Sequence, residues 1–370
     1  MTLSTFSFPT TILFGAGAIG ELPKELAKRG VLRPLLVTDA GLARSAIFER
    51  ISKLLPAATV YSGVEPNPTE RNVLEGVARY RESNCDGIVG LGGGSPLDAA
   101  KAIRLKVTHE APLAEYDDLL DGATRISANL PPYIAVATTS GTGSEVSRSA
   151  VVTIEATNRK TVIFSPHLIP TLALSDPELT VGMPPHITSG TGMDAFTHNV
   201  EAYLSKGYHP VCDAVALAGT KLVWENLPRA MEAPGDLEAR GNMMMASMMG
   251  AIAFQKGLGA VHSLAHPLSS DCGMHHGTTN AVLLPVVLEF NRSAVGGRMG
   301  DLAELLGGDP PERVRDLNRR LGIAPRLRDW GVKEEILPKL ADKAIQDGCH
   351  QLNPRPCSRE DLLALYRAAY

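Results

Sequence analysis

The sequence predicts an α/β domain built on a parallel sheet, followed by an all-helical domain. Three observations carry this expectation. Short, β-rich apolar runs alternate with helical patterns through the first half of the chain. After about residue 182 those runs thin out, and long stretches with apolar residues spaced by three and four take over. At 370 residues the chain also exceeds the roughly 250–300 that one core usually serves. Two domains are therefore expected, 1–182 and 183–370.

The elements follow in order. Thr11–Phe14 reads as a strand and Glu21–Arg29 as a helix. Pro34–Asp39, Thr59–Val64, Asp86–Leu91 and Tyr133–Thr139 are apolar runs ending in turn residues, as strands of βαβ units do. Thr69–Ser83 and Pro96–Leu105 are the helical patterns between them. Val151–Glu155 and Thr161–Ser165 read as a hairpin appended to the sheet. Gly182–Pro185 marks the junction, because its prolines cannot continue a helix. Beyond it, Asp194–Leu204, Val211–Glu225, Leu237–Phe254 and Val261–Leu268 are helical, with Met243–Met249 as core filler.

Composition narrows the function. Hydrophobic residues at 44% and charged residues at 21% are ordinary for a soluble globular chain. A net charge of −4 with no basic run gives no reason to expect a nucleic-acid partner. No apolar stretch approaches the ~20 residues of a membrane helix. The N-terminal MTLSTFSFPTTILF has neither a basic start nor a signal-type apolar core, so secretion is not expected. The five scattered cysteines form no C-x-x-C pair, which argues against disulfides or a thiolate zinc site and fits a reducing cytoplasm. Cys272 reads as a small core residue.

Two glycine-rich segments compete for a dinucleotide. Gly15-Ala-Gly-Ala-Ile-Gly20 matches G-x-G-x-x-G between a strand and a helix, and Asp39 ends the next strand where a ribose-binding acid is expected. The rival is Gly92-Gly93-Gly94-Ser95-Pro96-Leu-Asp98, where a strand runs almost directly into a helix. Ser95 suits the N-cap, Pro96 the first helical position and Asp98 the first turn. Its glycines admit a phosphate to the backbone and the helix N-terminus offers free N–H groups, although a tight turn before a capped helix needs no ligand. Thr138–Ser147 adds a hydroxyl-rich loop at another strand end.

The segment GLGAVHSLAHPLSSDCGMHHG holds four of the ten histidines: His262, His266, His275 and His276. Upstream, Asp194 and His198 are four apart, on one face of a helix. One carboxylate and three imidazoles from these segments could close around a divalent cation and leave a coordination position open, the mark of a catalytic metal site. Singly, each residue has an ordinary structural reading, as a cap, an ion pair or a packed histidine.

GGGSPLDAAK, TTSGTGSEVS, GMDAFTHNVEAY and GLGAVHSLAHPL…HHGTTNAVLLP, in this order and spacing, resemble the iron-containing (group III) alcohol dehydrogenases over residues 7–290. The resemblance implies a Rossmann-like domain, an all-helical domain of dehydroquinate synthase-like architecture, and an active site in a cleft between them. It implies Asp194, His198, His262 and His276 as ligands of a divalent metal, usually Fe²⁺ and in some members Zn²⁺. It places His266 near nicotinamide and substrate, Gly92, Gly93, Gly94, Ser95 and Asp98 at the pyrophosphate, and Thr138, Thr139, Gly143 and Ser144 at further cofactor contacts. Asp39 matches an adenosine-ribose contact, which favours NAD(H) over NADP(H), and the GAGAIG turn is reduced to positioning the first helix. Where many relatives carry Pro-His-Gly, this chain has His275-His276-Gly277; the spacing from His262 and the adjoining glycine select His276, leaving His275 as a supporting or lining residue.

The expected activity is a metal-dependent, NAD(H)-linked alcohol dehydrogenase or aldehyde reductase. A small alcohol or aldehyde is its substrate, His266 its proton carrier, and Phe254 a residue lining the substrate pocket. A homodimer or larger homo-oligomer in the cytoplasm is expected, with neither membrane nor nucleic acid as partner. Two other classes stay open: a dehydroquinate synthase-like lyase that uses NAD only transiently, and a non-catalytic protein with a structural metal.

Overall fold

The computed structural model describes residue 8, residues 10–157 and residues 159–370. Most of the N-terminal stretch read for a targeting signal, and position 158 of the expected hairpin turn, thus lie outside the described residues. The chain divides into two compact units. The described residues of one fall within 9–139 and 143–182; those of the other are residue 8, 140–142 and 183–370.

The first unit is a six-stranded sheet, all of it parallel, in the order β1-β8-β5-β4-β2-β3. Its elements are β1 (Ile12–Phe14), α1 (Leu22–Lys28), β2 (Pro34–Asp39), α2 (Ala46–Leu54), β3 (Thr59–Val64), α3 (Glu70–Glu82), β4 (Gly87–Gly92), α4 (Gly94–Lys106), β5 (Tyr133–Ala137) and β8 (Leu172–Ser175). The inner strands β4, β5 and β8 are buried along their whole length and β2 at every residue but Asp39, because helices cover a parallel sheet on both faces. Such strands read as unbroken apolar runs, and β2 and β3 fall where the sequence places them. A β6 (Ser149–Ile154) and β7 (Arg159–Phe164) pair forms a separate antiparallel hairpin, each arm beginning two residues and ending one residue earlier than the pattern suggests. α3 begins at a capping box between Thr69 and Asn72.

The chain runs outward from β2 to β3 and then returns to β4 on the other side of β2. This reversal leaves the carboxyl ends of β2 and β4 as the crevice where α/β sheets bind ligands. Asp39 ends one strand and Gly92 the other, with β5 adjoining β4 so that Ala137 lies opposite Gly92.

The second unit is helical: α5 (Pro185–Leu204), α6 (Pro210–Glu232), α7 (Leu237–Ala253), α8 (Ala260–Cys272), α9 (His276–Asn291), α10 (Arg298–Leu306), α11 (Pro310–Arg320), α12 (Leu337–Ala344) and α13 (Arg359–Ala369). α5 is its axis, buried from Thr188 to Leu204. It starts nine residues before the predicted Asp194, on the last residue of the GMPP junction, with Pro184 as N-cap and Pro185 at the first helical position. Met243, Met244 and Met248 are buried in this unit's core. Among the described residues no helix is long and apolar enough to cross a membrane, and none of the five cysteines forms a disulfide.

Candidate active site

Asp194, His198 and Glu201 follow one another at spacings of four and three along α5, so they share one buried face. α8 contributes His262 and, one turn on, His266. α9 begins at His276, and His275 is its N-cap, its Nδ1 accepting from Thr278 N. His275 thus caps a helix rather than facing the others. The start of α9 lies hard against α5: a Cβ on Gly277 would stand 1.9 Å from the Gly190 carbonyl oxygen and 3.0 Å from Asp194 Cβ. Only a glycine lets the two backbones close to this distance, and that closeness brings His276 to Asp194.

The structure brings all four candidate ligands together. One ligand atom each from Asp194, His262 and His276 lie within 4.8 Å of one another. Asp194 Oδ1 is 3.5 Å from His276 Nε2 and 3.9 Å from His198 Nε2, and the His198 and His262 rings stack at 4.7 Å. An ion with bonds of about 2.0–2.2 Å sets its ligands at about such spacings. The ring nitrogens on the far side are already committed. His262 Nδ1–H donates to Glu201 Oε2 at 2.6 Å, and His198 Nδ1–H donates to the Gly141 carbonyl at 3.3 Å. Both imidazoles are therefore left with Nε2 as a lone-pair donor, the arrangement in which histidines hold metals. One carboxylate and three imidazoles suit a borderline divalent cation, so the residues fit the metal the sequence implies.

Electrostatics separate the two inner histidines. Burial holds the His198 pKa below its usual value. Burial acts the same way on His262, but its hydrogen bond and attraction to Glu201 outweigh it and raise the value. Asn280, one turn beyond His276, donates from Nδ2 to Asp194 Oδ1 at 2.8 Å, with His276 Nε2 at 3.3 Å and His262 Nε2 at 3.5 Å. Asp194, His198 and His262 have side chains 4, 7 and 2% exposed, whereas His276 and His266 are 26 and 25% exposed. The cluster is thus reached from the side on which the His266 and His276 rings stack at 5.4 Å. Phe254 lies on another side, its ring 5.2 Å from His198.

In the α/β unit the two glycine segments differ in what their turns contact. β4 passes into α4 through Gly93, which is the N-cap; Ser95, expected there, sits inside the first turn and accepts from Asn67 N instead. A Cβ on Gly93 would stand 3.2 Å from the Thr139 side chain, which packs on the bare Gly93 backbone. Thr138 N donates to the Gly92 carbonyl, and Gly143 adopts a left-handed conformation before Ser144. Asp98 faces inward: it accepts from Ser144 Oγ at 2.6 Å and from Val151 N at 3.1 Å, while buried Lys101 donates to the same Ser144 hydroxyl at 2.7 Å. Asp39 Oδ1 accepts from the amides of Gly41 and Leu42, both at 2.8 Å, at the end of β2. The GAGAIG turn has a different occupant. The amide of Ile19 donates to Asp176 Oδ2 at 3.1 Å, so a carboxylate of the chain itself stands where a phosphate would have to bind.

Three neighbours of the candidate residues escaped the sequence reading. Glu201 was within reach of it, as a carboxylate in helical register with Asp194 and His198. Asn280 is likewise one turn from His276. Asp347, which accepts from His266 Nδ1 at 2.7 Å, lies 81 positions away with no pattern to join them.

Comparison with known proteins agrees across the chain. Residues 9–177 match the family model described as iron-containing alcohol dehydrogenase, and residues 188–370 that of the C-terminal region of the Fe-containing alcohol dehydrogenase family. The chain is 42% identical over 367 residues to the 4-hydroxybutyrate dehydrogenase of Cupriavidus necator, covering 95% of this chain and 96% of that one. Among solved structures it is similar to a 1,3-propanediol oxidoreductase, with a TM-score of 0.95 at 38% identity over 99% of this chain and 100% of the other. It also resembles the sulfoacetaldehyde reductase of Bifidobacterium kashiwanohense in complex with NAD⁺, with a TM-score of 0.90 at 29% identity over 100 and 99% of the two chains.

Proposed function

This chain belongs to the iron-containing alcohol dehydrogenase family, and on that premise we propose that Asp194, His198, His262 and His276 hold its catalytic cation. It is an NAD-linked oxidoreductase acting on CH–OH groups, an alcohol dehydrogenase or aldehyde reductase. The observation that carries the metal assignment is the convergence of one carboxylate with three imidazoles, two of which have Nδ1 committed elsewhere and so leave Nε2 free. When bound, the cation supplies Lewis-acid polarisation of the substrate oxygen, and the nicotinamide accepts or supplies the hydride. Fe²⁺ is the proposed metal, with Zn²⁺ the alternative.

The chain's own residues do the rest. Glu201 and the Gly141 carbonyl hold two of the ligand rings in orientation. His266 presents Nε2 on the reachable side of the cluster and carries the proton exchanged with substrate, its Nδ1 being tied to Asp347. Phe254 borders the site with an apolar face and helps to exclude water. The Gly92–Ser95 turn and the α4 N-terminus receive the pyrophosphate, with Thr138, Thr139, Gly143 and Ser144 beside it and Asp98 fixing Ser144 from behind. Asp39 binds the ribose, and its negative charge disfavours a 2′-phosphate, hence NAD(H) over NADP(H).

The substrate is a small alcohol or aldehyde. Relatives named for 4-hydroxybutyrate and 1,3-propanediol make ω-hydroxy acids and short diols the compounds to try first. A homodimer or larger homo-oligomer in the cytoplasm completes the reading. The test follows NADH absorbance across a panel of alcohols and aldehydes, using enzyme stripped by a chelator and then reloaded with Fe²⁺ or Zn²⁺. Turnover restored by metal is expected. Metal binding without net NADH turnover would instead favour a lyase, and turnover indifferent to metal would overturn the assignment.

A further inference from the structure

We propose that Asp347 is a positioning residue: through His266 Nδ1 it fixes one tautomer of that ring and keeps Nε2 open as the proton-accepting atom. This rests on the proton-carrying role given to His266 above. Both carboxylate oxygens of Asp347 are engaged. Oδ2 accepts from His266 Nδ1 at 2.7 Å, while Oδ1 accepts from Ser263 Oγ at 2.7 Å and from the amide of Cys349 at 2.9 Å. Ser263 is anchored in turn, its Oγ accepting from His350 N at 2.8 Å. A carboxylate held by three donors cannot rotate away without breaking all three, so the ring it holds is fixed in plane as well as in protonation pattern. Ser263 and His266 are three apart on α8 and meet the same acid, which ties the segment carrying Asp347 to the helix carrying His262 and His266.

The geometry yields a discriminating variant. In Asp347→Asn the amide oxygen must stay where Oδ1 is, because Ser263 and Cys349 both donate there. The amide NH₂ then faces His266 Nδ1 and forces that atom to accept. The proton moves to Nε2 and the ring loses its outward lone pair. Asp347→Ala only releases the ring and leaves both tautomers accessible.

The experiment records ¹⁵N chemical shifts of the His266 ring in the zinc-loaded protein, assigned against His266→Ala, together with metal content and steady-state kinetics. The expected result is a switch from the Nδ1–H to the Nε2–H tautomer in Asp347→Asn and a mixture in Asp347→Ala. Metal content should be unchanged, kcat should fall about 100-fold in Asp347→Asn, and KM should hold within about twofold. In the His266→Ala background Asp347→Asn should cost nothing further, because it acts through the ring already removed. An unchanged tautomer, or a loss that multiplies onto that of His266→Ala, would overturn the proposal. If His266→Ala keeps full kcat while the tautomer still switches, Asp347 does position the ring and the proton-carrying role is what fails.

Discussion

His262 spends its Nδ1 proton on Glu201, 2.6 Å away, and therefore has only Nε2 to offer to the space it shares with Asp194. Both partners are almost fully buried, so the bond acts at low dielectric and admits little alternative geometry. Glu201→Gln should lower metal affinity about 10–100-fold or more while leaving the fold intact: the Val261 amide holds the Gln carbonyl where Oε1 is, so the NH₂ faces His262 Nδ1 and opposes the tautomer that leaves Nε2 free. Competition with a chromophoric chelator measures it. Unchanged affinity would show that packing alone orients His262.

Gly277 is the point at which α9 rests on α5. A methyl group there would overlap the Gly190 carbonyl at 1.9 Å, with no flexible side chain to yield. Gly277→Ala should cost about 3 kcal/mol or more of stability and displace His276 from Asp194. Thermal denaturation and metal content should therefore fall together. A destabilised variant that keeps its full metal content would point to a different fourth ligand.

Asp39 is the residue on which the proposed preference for NAD(H) rests. Asp39→Asn retains an acceptor for the Gly41 and Leu42 amides but removes the charge. The ratio of kcat/KM for NADPH over NADH should rise roughly tenfold. A wild-type enzyme that already prefers NADPH would refute the assignment.

Glu145 supplies a pH test independent of the metal. It is buried, its Oε1 has no hydrogen-bond partner among the described residues, and burial pushes its pKa up to about 7, against smaller opposing effects of a backbone hydrogen bond and Lys101. The fold thus prefers its neutral form. That contribution is present in full below the unfolded value of 4.5 and is lost as pH rises through about 7. Glu145→Gln should therefore match wild type in Tm near pH 4.5 and exceed it progressively toward pH 7.5. Lys101, held down to about 8 by burial, changes stability only above that range. Parallel Tm curves for the two proteins would contradict the assigned ionisation.

The legible parts of this molecule share a physical cause. β2 and β3 were readable because turn residues close short apolar runs. Asp194, His198, His262 and His276 were readable because helices fix their spacing and the surrounding motifs fix their register. β8 was not named, since four residues contain too little pattern and burial within the sheet, between β1 and β5, is a tertiary fact. The first turns of α5 were missed for a related reason. Gly190 and Gly192 are poor helix formers, yet each sits where a side chain would collide, with His275 and Leu227 respectively. Asp347 lies in an irregular stretch and meets His266 only because helical packing brings them together.

The bond from Ile19 N to Asp176 bears on how glycine patterns are used to find binding sites. Two turns in this chain look alike on paper, and what separates them is an acid 157 positions away that has already filled one. A pattern search confined to a local window would rank the β1 turn first and miss that acid. To move a nucleotide to the β1 edge, a designer would have to begin by removing Asp176.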